Sequence, residues 1–140
     1  MELLERNRQV IEEFRANARR AGGPVEGRRM LLLTTTGAKS GQPRTSPVAY
    51  VSDGERLVVV GSNGGTEIHP NWYHNLLAHP QVTVEVGSET FDATAVVVQG
   101  EERQRLWAKV VAAQSMFGEY QAKIKRQIPV IALSRHPGKT

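Results

Sequence analysis

The sequence contains no cysteine. That absence removes disulfides, thiolate metal sites, iron–sulfur clusters and a cysteine nucleophile together. No apolar run approaches the ~20 residues of a membrane span, and no basic-then-apolar leader opens the chain, so neither a span nor a signal peptide is expected. Aromatic residues make up only 6%. Phe117 and Tyr120 stand near Lys123, Lys125 and Arg126, too thin an interleaving of rings and cations for a nucleic-acid site, and no nucleic-acid partner is expected. His69, His74 and His79 lie five apart, share no helix face and have no carboxylate in ligand spacing, so no metal is expected. Nucleotide and hydrolase signatures are missing too. Ala38 occupies the place where a Walker A loop needs glycine before its lysine, and neither G-x-G-x-x-G nor G-x-S-x-G occurs.

What is present is one domain's worth of ordinary soluble sequence: 140 residues, 39% hydrophobic and 23% charged, too apolar for a disordered chain. The net charge of +4 is unevenly spread. Residues 1–29 carry seven basic and five acidic side chains, residues 30–102 three and eight, and residues 103–140 eight and one. The basic last third could face an anionic partner or simply solvent. The acidic middle has only Lys39, Arg44 and Arg56 as cations, and the first two share one loop.

Residues 2–20 read as an amphipathic helix through Leu3, Val10, Ile11, Phe14 and Ala18, stopped by Gly22, Gly23 and Pro24. This divides the chain into an N-terminal helix and linker, 1–27, and a main domain, 28–140. From Met30 the pattern turns to short β runs at Met30–Thr35, Pro47–Ser52, Arg56–Gly61, Gln81–Val86 and Glu89–Val98. A last run lies at Pro129–Leu133. Asp53-Gly54 marks a hairpin. Helices are expected at Asn71–Ala78 and Glu101–Gln114, with a further turn at Tyr120–Lys125. Short strands joined by tight turns predict a mainly β, α+β fold, an antiparallel sheet or barrel with flanking helices, and no parallel βαβ units.

Thr34–Arg44, T-T-T-G-A-K-S-G-Q-P-R, is the most unusual stretch. Two glycines bracket a lysine and a serine, with an arginine just beyond. Backbone N–H groups and two cations of this kind suit a phosphate or carboxylate, though a plain polar connection has the same composition. Gly61–Gly65, G-S-N-G-G, follows a strand and precedes the helix containing Pro70, Asn71, Trp72, Tyr73 and Asn75. Such a helix start attracts anions, and Trp72 or Tyr73 could cover a flat ring or sit in the core.

Taken together, Leu31–Arg44, Ser62–Gly65, Pro70–Asn75 and Leu77–Val82 (L-A-H-P-Q-V), with the close at Ile128-Pro129-Val130, resemble the deazaflavin-dependent nitroreductase family of actinobacteria over about residues 28–134. The resemblance implies a split β-barrel related to FMN-binding barrels, holding coenzyme F420, a 5-deazaflavin with a phosphate and a polyglutamate tail. It implies that Lys39 and Arg44 hold the anionic tail, with Ala38 and Ser40 assisting. Thr45, Ser46, Pro47, Val48 and Ala49 then run along the ring. Val60, Gly61, Ser62 and Asn63 form the next wall, and Asn71, Trp72, Tyr73 and Asn75 complete the pocket. Ala49, Gln114, Phe117 and Tyr120 are implied to meet the substrate. Asn63 stands where the family often has lysine and Ala49 where it has an aromatic. Gln114, Phe117 and Tyr120 stand for a run of three tyrosines.

The implied activity is transfer of a hydride from reduced deazaflavin to a quinone, nitroaromatic or activated enone, with Ser62 and Tyr120 as the polar groups serving the acceptor. A non-catalytic deazaflavin, flavin or haem carrier and a basic interaction module are the alternatives. A cytoplasmic location is expected, with peripheral membrane contact through the first helix as a further option.

Overall fold

In the computed structural model, residues 11–12, 30–87 and 89–136 are described. The helix expected over 2–20 therefore falls outside the described residues, apart from Ile11 and Glu12. Seven strands form one antiparallel sheet in the order β2-β1-β5-β6-β7-β4-β3. They are β1 Met30–Thr36, β2 Pro43–Ala49, β3 Val51–Asp53, β4 Arg56–Val60, β5 Gln81–Val86, β6 Glu89–Val97 and β7 Val130–Arg135. Helix α1, Asn71–Ala78, links β4 to β5, while α2, Gly100–Ala113, and α3, Met116–Lys123, lie between β6 and β7. The sheet curls into a half-barrel that brings β2 back beside β4.

The curling works because the central strands are apolar on both faces. Successive side chains of a strand point to opposite sides. In β4 and β7, Val59, Ile131 and Leu133 enter one buried cluster with Leu31, Leu33, Val84, Trp72 and Leu76. Their neighbours Val58, Val60, Val130 and Ala132 enter a second with Leu106, Val110, Phe117 and Ile128. Leu106 and Val110 are four apart, one face of α2, and Glu101 and Glu102 occupy its first turn, where acidic groups favour the helix dipole.

Two expectations change. The run anticipated at Pro47–Ser52 is two strands. Pro43–Ala49 pairs with β1 from Thr36↔Pro43 to Met30↔Ala49, and after Tyr50 the chain turns to pair with β4. The strand starts four residues early because Pro43 and Arg44 have ladder partners in Thr36 and Thr35. The turn expected at Tyr120–Lys125 is instead a two-turn helix beginning at Met116, whose Phe117 is fixed in the second cluster.

Candidate functional site

β1 and β2 form a hairpin whose connection, residues 37–42, is the cationic loop. Gly37 N donates to the Gln42 carbonyl at 2.8 Å and Gly41 N to the Gly37 carbonyl at 2.9 Å. Gly41 has φ +70°, a conformation that glycine adopts without strain. The Gln42 N–H donates to Ser40 Oγ at 3.1 Å, so the Ser40 hydroxyl keeps its own proton to donate. Ala38, Lys39, Ser40 and Arg44 are all exposed. Within the described residues neither Lys39 nor Arg44 has an ion-pair or hydrogen-bond partner.

The loop is braced from α1. Asn75 is 8% exposed. Its Oδ1 accepts the Ala38 N–H at 2.9 Å, and its Nδ2 donates to Thr35 Oγ1 at 3.1 Å. Both ends of the amide are thus spent on the hairpin, and the Ala38 N–H is committed to Asn75. Asn75 shapes the site from behind.

β2 is an edge strand, so one side of its backbone is unpaired along Thr45, Ser46, Pro47, Val48 and Ala49. Thr45 Oγ1 meets Thr34 Oγ1 across the pair at 2.8 Å. Val48 is buried in the first cluster and Ala49 packs on the second. Their backbone, more than their side chains, is what they offer a ligand.

At the end of β4, Val60, Gly61 and Ser62 are buried, and Asn63–Gly65 make one 3-10 turn. The Ser62 hydroxyl makes no hydrogen bond within the described residues although the residue is only 8% exposed. Asn63 has φ +47°, and its amide donates to Thr66 Oγ1 at 3.1 Å and to the Ile68 carbonyl at 3.0 Å. It fastens its own loop.

One arginine holds this whole segment. The Arg126 guanidinium donates to the carbonyls of Gly61 at 3.1 Å, Ser62 at 2.9 Å, Thr66 at 2.9 Å and Ile68 at 3.2 Å. Glu67 returns the tie by accepting from the backbone N–H groups of Lys125 and Arg126. Burial lowers the Arg126 pKa, with Glu67 opposing it. The motif reading gives no site role to Arg126, Glu67 or Thr35, although Thr35 lies within the Thr34–Arg44 stretch. Arg126 is hidden there among the many cations of the last third, and no spacing rule links it to a loop 58 residues or more away.

α1 stands between the two loops. Pro70 packs against Gly61, and Asn75 reaches Ala38. Asn71 is exposed at the helix start, while Trp72 is 9% exposed in the first cluster, the core alternative for that ring. Tyr73 is half-buried, its ring centroid 4.7 Å from that of His69.

The three substrate-side positions near α3 separate. Phe117 is buried in the second cluster, and Gln114 ends α2 half-buried. Tyr120 alone reaches the 3-10 turn. A Cβ on Gly65 would lie 2.7 Å from its Cδ1, so the ring lies directly on that glycine, and its hydroxyl points at Met116 Sδ at 4.0 Å. A cavity of about 310 Å³ opens separately against Thr34, Thr36, Pro43, Gln81, Asp92 and His136. It touches the foot of the cationic loop and none of the Gly61–Gly65 wall.

Unpaired cations on a braced hairpin, an unpaired sheet edge and the free Ser62 hydroxyl suit a flat ring with an anionic tail. The family model of F420H(2)-dependent quinone reductases matches residues 6–135. An F420H(2)-dependent quinone reductase of Mycobacterium tuberculosis is 44% identical over 108 residues, 75% of this chain and 72% of that one. A solved F420-H2 dependent reductase superposes with TM-score 0.71 at 42% identity, covering 76% of this chain and 95% of its own. Another solved structure, described as a domain-swapped dimer, gives TM-score 0.73 at 37% identity over 94% and 96% of the two chains. No helix among the described residues is long and apolar enough to cross a membrane.

Proposed function

This chain belongs to the F420H(2)-dependent quinone reductase family, an oxidoreductase family whose cofactor is reduced coenzyme F420, and from that premise we propose that it reduces a quinone by hydride transfer at the Lys39–Tyr120 site. The observation that carries the proposal is the pair of unpartnered cations, Lys39 on the hairpin loop held in place by the buried Asn75 and Arg44 at the start of β2. When bound, reduced F420 supplies a hydride from its ring carbon C5 to the quinone, which takes one further proton to become the hydroquinone, while the deazaflavin is left oxidised.

Lys39 and Arg44 bind the phosphate and carboxylates of the tail, with the Ser40 hydroxyl as a further donor. The open backbone edge of β2 and the Gly61–Ser62 wall orient the ring system, and closeness and alignment of the reacting carbons account for much of the rate. Ser62 has a free hydroxyl at that wall and donates a hydrogen bond to the acceptor. Tyr120 lies at the end of the same wall, its ring on Gly65 and its hydroxyl free of any strong partner. Ala49 and Phe117 both pack on the second cluster and so place no large side chain at the acceptor. Bulky quinones and activated enones are therefore favoured over compact nitroaromatics and bicyclic nitroimidazoles.

Stopped-flow mixing of reduced F420 with a naphthoquinone tests this. Enzyme-dependent oxidation of the deazaflavin is expected, with no comparable turnover on FMN. Tight binding without turnover would make the protein a deazaflavin carrier. In Tyr120→Phe the ring contact survives and the hydroxyl is lost. A fall in kcat with unchanged F420 affinity assigns the hydroxyl to the transition state, and equal rates leave the proton to Ser62 or solvent.

A further inference from the structure

Arg126 makes a fifth contact in addition to the four carbonyls it holds. Its Nη1, already bound to the Gly61 carbonyl, lies 3.0 Å from His69 Nδ1. A guanidinium only donates hydrogen bonds, so Nδ1 must be the acceptor, and the neutral imidazole then carries its proton on Nε2. Sharing one nitrogen with Gly61 places the His69 ring beside the wall described above. Tyr73, at 4.7 Å between centroids, and His74, at 5.8 Å, hold it from the helix side. Nε2 is on the far side of the ring from Arg126 and makes no hydrogen bond within the described residues. The result is a half-buried, oriented donor with nothing to donate to.

We propose that His69 is a further binding residue of this site: Arg126 fixes it as the neutral Nε2–H tautomer, and that N–H donates to the carbonyl oxygen of the quinone. The role rests on the quinone-reductase reading. Negative charge collects on that oxygen as the hydride arrives, and a neutral, preorganised donor serves the transition state more than the ground state. The groups facing the imidazole are Arg126 from the segment after α3 and Tyr73 and His74 from α1; the Glu67 carboxylate is taken up by the Lys125 and Arg126 N–H groups. Burial, then Arg126, then His74 lower the His69 pKa from its ordinary 6.5, which keeps the ring neutral at pH 7.

Two measurements on the full chain decide the matter. The first is imidazole ¹⁵N NMR with pH titration of the free protein and of the protein with oxidised F420 and a short-tailed naphthoquinone. His69 should titrate below the value it shows in Arg126→Leu, Arg126→Lys should partly restore the low value, and the quinone should shift the Nε2 resonance. The second is steady-state kinetics of His69→Phe and His69→Gln. The phenylalanine keeps the contact with Tyr73 and removes the donor, while the glutamine amide returns a donor near the Nε2 position. His69→Phe should lose about tenfold or more in quinone kcat/KM, with F420 affinity within about twofold of the parent, and His69→Gln should recover part of the loss. A parent that reduces quinone, with His69→Phe unchanged and no quinone-dependent Nε2 shift, overturns the donor role alone. A parent that reduces no quinone overturns the functional reading and this role with it.

Discussion

Gly65 and Tyr120 make a contact that neither residue type announces in the sequence. Gly65 has φ +81°, where a side chain is strained, and a Cβ there would lie 2.7 Å from Tyr120 Cδ1. Gly65→Ala should therefore cost about 1–3 kcal/mol of stability and push the Tyr120 ring off the turn. Thermal or urea unfolding and the acceptor KM would both register it. A wild-type midpoint with unchanged kinetics would mean that the turn and ring are not coupled as described. Other residues show the limit of motif reading in the same way. Trp72, Tyr73 and Asn75 share one short motif, yet Trp72 is core, Asn75 is a buried brace and Tyr73 packs against His69. Their presence near the site was legible, but the division of labour was not, because it depends on which face of a two-turn helix meets the sheet.

At the scale of elements, the hairpin β3–β4 and the helices Asn71–Ala78 and Gly100–Ala113 were legible, because Asp-Gly, flanking prolines and apolar spacing are local signals. The start of β2 was not. Pro43 and Arg44 look like loop, and only their ladder partners in β1 make them strand. Nor was the tie between β3 and α2 legible. Asp53 reads as a turn residue, but its carboxylate accepts from Arg56 at 2.9 Å, Arg105 at 2.9 Å and Lys109 at 3.4 Å, so it clamps the hairpin to the helix. Arg105 first, then Arg56, hold its carboxyl well below the ordinary 3.8. A depressed carboxylate contributes its stability above the unfolded pKa and loses it as pH falls through the folded one. Asp53→Asn should thus cost about 1 kcal/mol from pH 5 to 7, since the partners are partly exposed. The gap to the parent should close only below pH 3.8, and urea midpoints measured across that range check it.

The brace from α1 is the second element-scale device. Asn75→Leu keeps the γ-branched outline and removes both bonds, leaving the Thr35 hydroxyl, in a residue 1% exposed, with no partner from this helix. The expected loss of stability is about 1–3 kcal/mol. F420 affinity should fall as well, although Asn75 need not touch the ligand, because the loop carrying Lys39 loses its anchor at Ala38. Affinity preserved in a folded Asn75→Leu protein would remove the brace from the binding argument.

Over the whole molecule, charge decides how an anionic tail can approach. By composition the basic last third could face an anionic partner or solvent, but most of its cations are used internally. Arg103 binds the Ile128 carbonyl, Arg105 and Lys109 bind Asp53, Arg126 holds the wall, and Arg135 pairs with Glu89. In the acidic middle, with three basic and eight acidic residues, Arg56 is consumed by Asp53 and Glu102. Lys39 on the hairpin loop and Arg44 at the start of β2 are left as that region's unpaired cations. A polyanionic tail is therefore drawn to one place and repelled around it. Each of Lys39→Ala and Arg44→Ala should weaken F420 binding by ~1.5–3 kcal/mol, the range for a charge-assisted hydrogen bond. The effect should shrink for a deazaflavin lacking the glutamates and should fade between low and high salt as screening rises. Fluorescence titration of parent and variants with both ligands at two ionic strengths measures all of this. If the two variants bind full-length F420 as the parent does, the tail is held elsewhere, and the charge map would then favour Lys123 and Lys125 on the α3 side.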